Sequence, residues 1–248
     1  MPASYLWALL VKDPLILLAT MVFGTVSVGV SFFDPAGQVT DRIARAWARL
    51  LLRIAGVRLR LEGLEHIGPA GRYLFAGNHL SLFDTPVVLS SIPVRFLFLV
   101  NARYVRLPFL GTHLRRSGHF SVDPEDTRGS IRVLAAAARA VCERRLSILV
   151  FPEGTRSRDG KVGEFREGAA YLAIKAGIPV VPFAIHGTRE VLPTGSVYVR
   201  GGVVKVVFGA PVETAGYTVK DRATLNDRLR EQVVSLAARL AKDATGHG

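Results

Sequence analysis

The sequence predicts an α/β fold: a mostly parallel central sheet flanked by helices, with an N-terminal membrane-associated helical segment ahead of it. Three observations predict it. Short apolar runs bounded by turn residues alternate with helical stretches from Val57 onward. Pro14 to Phe33 is a run of 20 residues without a charge. Between Asp41 and Arg60 stand six arginines and one acid. Residues 1–56 therefore read as an anchoring and basic helical segment, and residues 57–248 as the α/β domain.

The uncharged run is long enough, as a helix, to cross a hydrocarbon core of roughly 30 Å. Only Lys12, beside Asp13, precedes it, and no small-x-small cleavage site ends it before Asp34. It therefore reads as a retained membrane segment rather than a signal peptide. Asp13-Pro14 is expected to break it from the short apolar piece Tyr5–Val11, which leaves open a span or a hairpin dipping into one leaflet.

Residues 41–60 follow as a basic helix. At about 100° per residue Ile43, Trp47, Leu50, Leu51 and Ile54 share one arc, and Arg42, Arg45, Arg49 and Arg53 the other. Two readings stand: a surface helix packed on a core, or a helix at headgroup level drawn to anionic lipid. Either places the following domain on the cytoplasmic side.

Val57–Leu61 alternates with period two, as a half-exposed strand does. Tyr73–Gly77, Val94–Val100, His119–Val122 and Ser147–Phe151 read as buried strands. Pro86–Ser91, Thr127–Arg145 and Glu167–Ala176 read as the helices between them, and Arg222–Lys242 as a closing amphipathic helix. Gly201-Gly202 is expected to turn a hairpin between Val197–Arg200 and Val203–Phe208.

Charge and composition narrow the function. Net charge is +12 with a pI near 10.5. Residues 1–34 carry −1, which leaves +13 on the remainder. Such a chain suits a polyanionic partner: nucleic acid, anionic lipid or a phosphate-bearing substrate. One cysteine, Cys142, excludes an internal disulfide and a Cys-based zinc cluster. None of the six histidines has metal-ligand spacing with another His or Cys, so no metal or cofactor is expected.

Two constellations carry chemistry. Asn78-His79-Leu80-Ser81-Leu82-Phe83-Asp84 follows one buried strand and precedes a helix. His79 and Asp84, five apart, would diverge on a continuous helix but can meet in a strand–loop–helix turn. The carboxylate would then hold one imidazole nitrogen and leave the other as a base. Asp84-Thr85-Pro86 also reads as an ordinary helix start. Ser81 lacks the G-x-S-x-G elbow of a nucleophile. The second constellation, Phe151-Pro152-Glu153-Gly154-Thr155-Arg156-Ser157, offers backbone donors, a hydroxyl and a guanidinium in one turn, groups that suit a phosphate oxyanion. Arg158, Lys161 and Arg166 add positive charge downstream.

NHLSLFD, then FPEGTRS, then IPVVPFAIHGT (Ile178–Thr188) resembles the glycerophospholipid acyltransferase family typified by 1-acylglycerol-3-phosphate acyltransferases, in order and spacing from Val57 to Val212. The resemblance implies that His79 deprotonates the acceptor hydroxyl, that Asp84 orients it, and that Glu153, Gly154, Thr155 and Arg156 bind the glycerol phosphate. It implies an acyl-CoA or acyl-carrier-protein donor, a lysophospholipid acceptor and an anionic membrane surface as partners. Pro179 and Pro182 match the last block, with an acyl-pocket role implied. One block departs: the family's G-x-x-F-x-x-R reads Gly118 to Pro124 here, with Pro124 in place of the Arg. Arg115, Arg116 or Arg128 is the expected substitute; failing that, the acceptor carries its phosphate differently or is another lyso-lipid. His119 beside it reads as structural.

Two rivals from other classes remain. A nucleic-acid or anionic-membrane binding protein would use the charge alone, but no nucleic-acid-reading module is present and aromatics do not interleave the basic clusters. An esterase would need the nucleophile elbow that is missing.

Overall fold

The computed structural model describes residues 7–107, 110–123 and 125–245. A π-helical turn, Ala8–Lys12, runs straight into helix α1 (Asp13–Val30). The break expected at Asp13-Pro14 is therefore absent. Widening the turn to i→i+5 spacing relieves the clash between a proline ring and the preceding turn. The reversal comes later, at Ser31 to Gly37. There the Asp34 carboxylate accepts from the N–H groups of Gln38 and Thr40 and so caps α2 (Gln38–Ala55).

α1 and α2 form an antiparallel hairpin. Lys12 Nζ donates to the Ala55 carbonyl at 2.9 Å, and Trp47 Nε1 to Thr20 Oγ1 at 3.1 Å. The far end of α1 is tied as well. Ser27 Oγ lies 2.9 Å from His113 Nδ1, and Arg116 Nε donates to Ser31 Oγ at 2.7 Å. Its outer face stays bare: Leu10, Leu17, Leu18, Met21 and Val22 are exposed, and Phe33 beyond it is 90% exposed.

On α2 the predicted arginine face is divided. Arg42, Arg49 and Arg53 are exposed. Arg45 instead turns inward, with its side chain 13% exposed and paired to Asp41 at 2.8 Å. Its guanidinium donates to the carbonyls of Leu89, Ile92 and Val94, collecting acceptors that a helix end leaves free. That helix is α3 (Asp84–Ser91).

The strands are β1 (Val57–Glu62), β2 (Leu74–Gly77), β3 (Phe96–Asn101), β4 (Phe120–Val122), β5 (Ser147–Val150), β6 (Val180–His186) and β7 (Gly202–Phe208). They form one sheet in the order β1-β7-β6-β2-β5-β3-β4. Only β6–β7 is antiparallel; every other neighbouring pair is parallel. Between the strands lie α4 (Ala102–Val105), α5 (Leu110–Arg116), α6 (Thr127–Arg144), α7 (Gly168–Ala176) and α8 (Thr188–Val191), and α9 (Arg222–Thr245) closes the chain. One core, around Phe75, Phe183 and Phe208, lies under α2 and α3. The other, around Leu74, Ile148 and Leu172, lies under α6, α7 and α9.

The expected hairpin across Gly201-Gly202 does not form. Residues 197–200 make no strand, and β7 pairs with β1 in parallel and β6 antiparallel. Spacing explains the first glycine. Gly202 N–H donates to the Gly56 carbonyl, and a Cβ on Gly201 would stand 3.0 Å from that same oxygen, whereas one on Gly202 would meet open space. Gly201 lets the chain pass close under the end of α2.

Candidate active site

β2 and β5 are central neighbours, with Ala76 opposite Val150, and run the same way. Their carboxyl ends therefore deliver the two sequence constellations side by side, where open α/β sheets place their sites. After β2, Asn78 anchors the turn. Its amide donates to the Ile185 carbonyl at 3.0 Å and accepts from the Ile185 N–H at 2.8 Å, replacing a strand neighbour for β6. Sequence reasoning assigned Asn78 no role; a buried Asn ending a strand was the available signal.

His79 and Asp84 meet as the spacing allowed. His79 Nδ1 lies 2.7 Å from Asp84 Oδ2, and the carboxylate has no exposed surface. The same oxygen accepts the N–H groups of Leu80 and Ser81, at 2.6 and 2.9 Å. Asp84 is the first residue of α3 and holds the imidazole, but its carboxylate accepts from groups ahead of the helix and caps no helix amide, so the ordinary N-cap reading does not apply. A carboxylate only accepts, so Nδ1 carries the proton and Nε2 keeps its lone pair. Ser81 is fully buried, donates to the Leu192 carbonyl and accepts from Phe83 N–H, a structural role.

His79 lines a cavity of about 1120 Å³ that extends between the α1–α2 hairpin and strands β3 and β4. Its walls are largely apolar, including Ile16, Phe23, Leu51, Leu82, Phe98 and Leu114. Gly154, Thr155 and Arg156 line it too. Glu153 alone of its group does not; its oxygens accept from the N–H groups of His79 and Gly163, at 2.8 and 2.9 Å. Gly154 has φ +71°, and a Cβ there would meet Arg166 Nε at 3.1 Å. Glycine thus lets Arg166 cross the turn and reach the cavity beside Arg156.

The expected substitutes for the family arginine fall elsewhere. Arg115 donates to the Val105 carbonyl, and Arg116 is drawn to Ser31 and lies 3.7 Å from the Phe32 ring centroid. Neither these nor Arg128 lines the cavity, whereas Arg103 and Arg166 do. Pro124 lies outside the described residues. Pro179 and Pro182 do not line the cavity either. Pro182 sits in β6 opposite Ala76 of β2, and its carbonyl accepts from Gly209 N–H at 2.8 Å. His119 lines the cavity as well; its Nδ1 accepts from Phe98 N–H at 3.1 Å, and burial pushes its pKa down to about 3. Among the described residues no cluster of His, Cys, Asp or Glu could hold a metal.

A buried carboxylate that holds one nitrogen of an imidazole thus stands at an apolar cavity, at the carboxyl ends of two central strands. The chain belongs to the acyltransferase family, whose model matches residues 58–186. The 1-acyl-sn-glycerol-3-phosphate acyltransferase of Limnanthes douglasii is 30% identical over 170 residues, covering 68% of this chain and 60% of that protein. The human alpha form is 26% identical over 193 residues, covering 78% and 68%. The chain thus spans about 60% of the length of the Limnanthes relatives. The crystal structure of the 1-acyl-sn-glycerophosphate acyltransferase PlsC from Thermotoga maritima shares the fold, with a TM-score of 0.75 at 24% identity over 93% of this chain and 96% of that one.

Proposed function

We propose that the chain transfers a fatty-acyl group from a thioester, acyl-CoA or acyl-carrier protein, to the free hydroxyl of 1-acylglycerol-3-phosphate, giving phosphatidic acid. The observation that carries this is the His79–Asp84 pair opening onto an apolar cavity whose lining also holds Arg156 and Arg166. The names of the relatives agree with it. His79 Nε2 takes the proton of the acceptor hydroxyl as that oxygen attacks the thioester carbonyl. The C–S bond then breaks, and the leaving thiolate takes the proton back from Nε2. A base of this kind contributes about 10²–10⁴ in rate. Arg156, with Arg166 and Arg103, holds the acceptor phosphate through charge-assisted hydrogen bonds. The cavity takes the acyl chain.

The membrane reading is part of the same proposal. Polar contacts run the length of α1, at Lys12 and Thr20 to α2 and at Ser27 and the following Ser31 to α5 of the domain. A bilayer-crossing α1 would carry those polar partners into hydrocarbon, which is costly. The hairpin therefore lies in one leaflet with its bare face in lipid, and the domain sits on the cytoplasmic side. Mass spectrometry of the lipids formed from acyl-CoA and a panel of lyso-acceptors tests the assignment. Phosphatidic acid from 1-acylglycerol-3-phosphate is the expected product; its absence while another lyso-lipid is acylated would transfer the assignment to that acceptor.

A further inference from the structure

His79 is gripped by its main chain as well as its side chain. Its N–H donates to Glu153 Oε1 at 2.8 Å, and its carbonyl accepts from Ser157 N–H at 2.7 Å. Its ring lies flat on Phe151, with centroids 4.2 Å apart and planes 12° from parallel. All three partners belong to the turn after β5. That turn is a seat for the residue after β2.

Glu153 completes the seat from behind. Oε2 accepts from Gly163 N–H at 2.9 Å, so the carboxylate joins two loops to the β2 end. A Cβ at Gly163 would stand 3.0 Å from Oε2, which is why this loop approaches through a glycine. Burial pushes the Glu153 carboxyl above its usual range, and the two amide bonds pull it back. A carboxylate suits the place because two N–H donors converge on it, and both of its oxygens accept. A glutamine would turn an NH₂ toward one of the donors.

We propose that Glu153 is a positioning residue for the base and not a binding residue for the acceptor. It does not line the cavity, and both of its oxygens accept from backbone amides. Through the His79 peptide it keeps Nε2 within reach of the acceptor hydroxyl while Asp84 sets the ring. Misplacing a reacting group by about 1 Å costs on the order of 10² in rate. The inference rests on His79 being the base.

The test compares Glu153→Gln with wild type and with His79→Ala in detergent, varying acceptor and donor in turn. The expected result for Glu153→Gln is a fall in kcat of roughly tenfold or more, with both KM values within about twofold. Exchange of the His79 amide hydrogen with solvent, which a role in acceptor binding would not alter, should quicken in the same variant. Gly163→Ala, which presses on Oε2 without removing the carboxylate, should shift kcat the same way by less, and serves if Glu153→Gln does not fold. A raised acceptor KM with kcat unchanged, or His79 exchange equal to wild type, overturns the positioning role. Activity retained by His79→Ala overturns the base reading beneath it, so the two failures are separable.

Discussion

The Nδ1 atom of His79 stands 2.7 Å from Oδ2 of Asp84, a carboxylate with no exposed surface that also accepts two backbone N–H groups. Three donors on one oxygen make Asp84 immobile, and the imidazole inherits that fixity. Asp84→Asn would present either an amide oxygen without charge or an NH₂ to the ring. It should lower kcat by about 10² or more while leaving acceptor KM within about twofold, measured by steady-state kinetics on protein of unchanged thermal midpoint. A comparable rise in KM instead would place Asp84 in binding.

Arg156 is half-buried at the cavity, in the turn that Gly154 opens. Arg156→Ala should raise the KM for a phosphate-bearing acceptor by roughly tenfold or more and change donor KM little, as expected for the loss of a charge-assisted bond. Arg156→Lys should recover part of it, since an ammonium keeps the charge without the bidentate fork. A fall in donor affinity with acceptor KM unchanged would assign Arg156 to the thioester carrier.

Membrane attachment should be apolar first and electrostatic second. Full-length protein should stay with anionic vesicles in high salt and leave only with detergent, because the bare face of α1 is insensitive to screening. Replacing Leu17, Met21 and Phe33 by Glu should leave weaker binding held by Arg42, Arg49 and Arg53, and that residue of binding should release as salt rises. Sedimentation at two salt concentrations decides it. Wild-type protein released by salt alone would contradict the anchor.

His119 gives a stability prediction. Its pKa in the folded chain is about 3 against an ordinary 6.5, so between those values the unfolded chain binds the extra proton. Its contribution is therefore complete above pH 6.5 and is lost as pH falls toward 3, at up to about 1.4 kcal/mol per pH unit. His113, lowered by burial in the same direction, adds to the slope. Thermal unfolding midpoints should drop below pH 6.5 and drop less steeply in His119→Asn, whose amide oxygen can still accept from Phe98. An equal slope in both proteins would contradict the account.

Much of this was legible in the sequence because local pattern and tertiary outcome agree. β2, β3, β4 and β5 and the helices α3, α6 and α7 stand within a few residues of where periodicity put them, although β6 was not read as a strand. The His79–Asp84 spacing was enough to bring the pair together once a strand–loop–helix was granted. What failed depended on partners far away in sequence. Gly201-Gly202 carries a hairpin signal, but Gly201 serves the approach to Gly56, 145 positions earlier in the chain. Arg45 matches its neighbours on a helical wheel, yet the unsatisfied end of α3 draws it inward. The hydrogen bonds of Glu153 to His79 and Gly163 were likewise beyond any local pattern.

The most direct test of the central claim is the release of free thiol from acyl-CoA by purified protein, followed with and without 1-acylglycerol-3-phosphate, for wild type and His79→Ala. The account predicts release by wild type only when the acceptor is present, and a loss of at least about 10² in His79→Ala. Equal release without acceptor would make the chain a hydrolase, and full activity in a folded His79→Ala protein would remove the base from the mechanism.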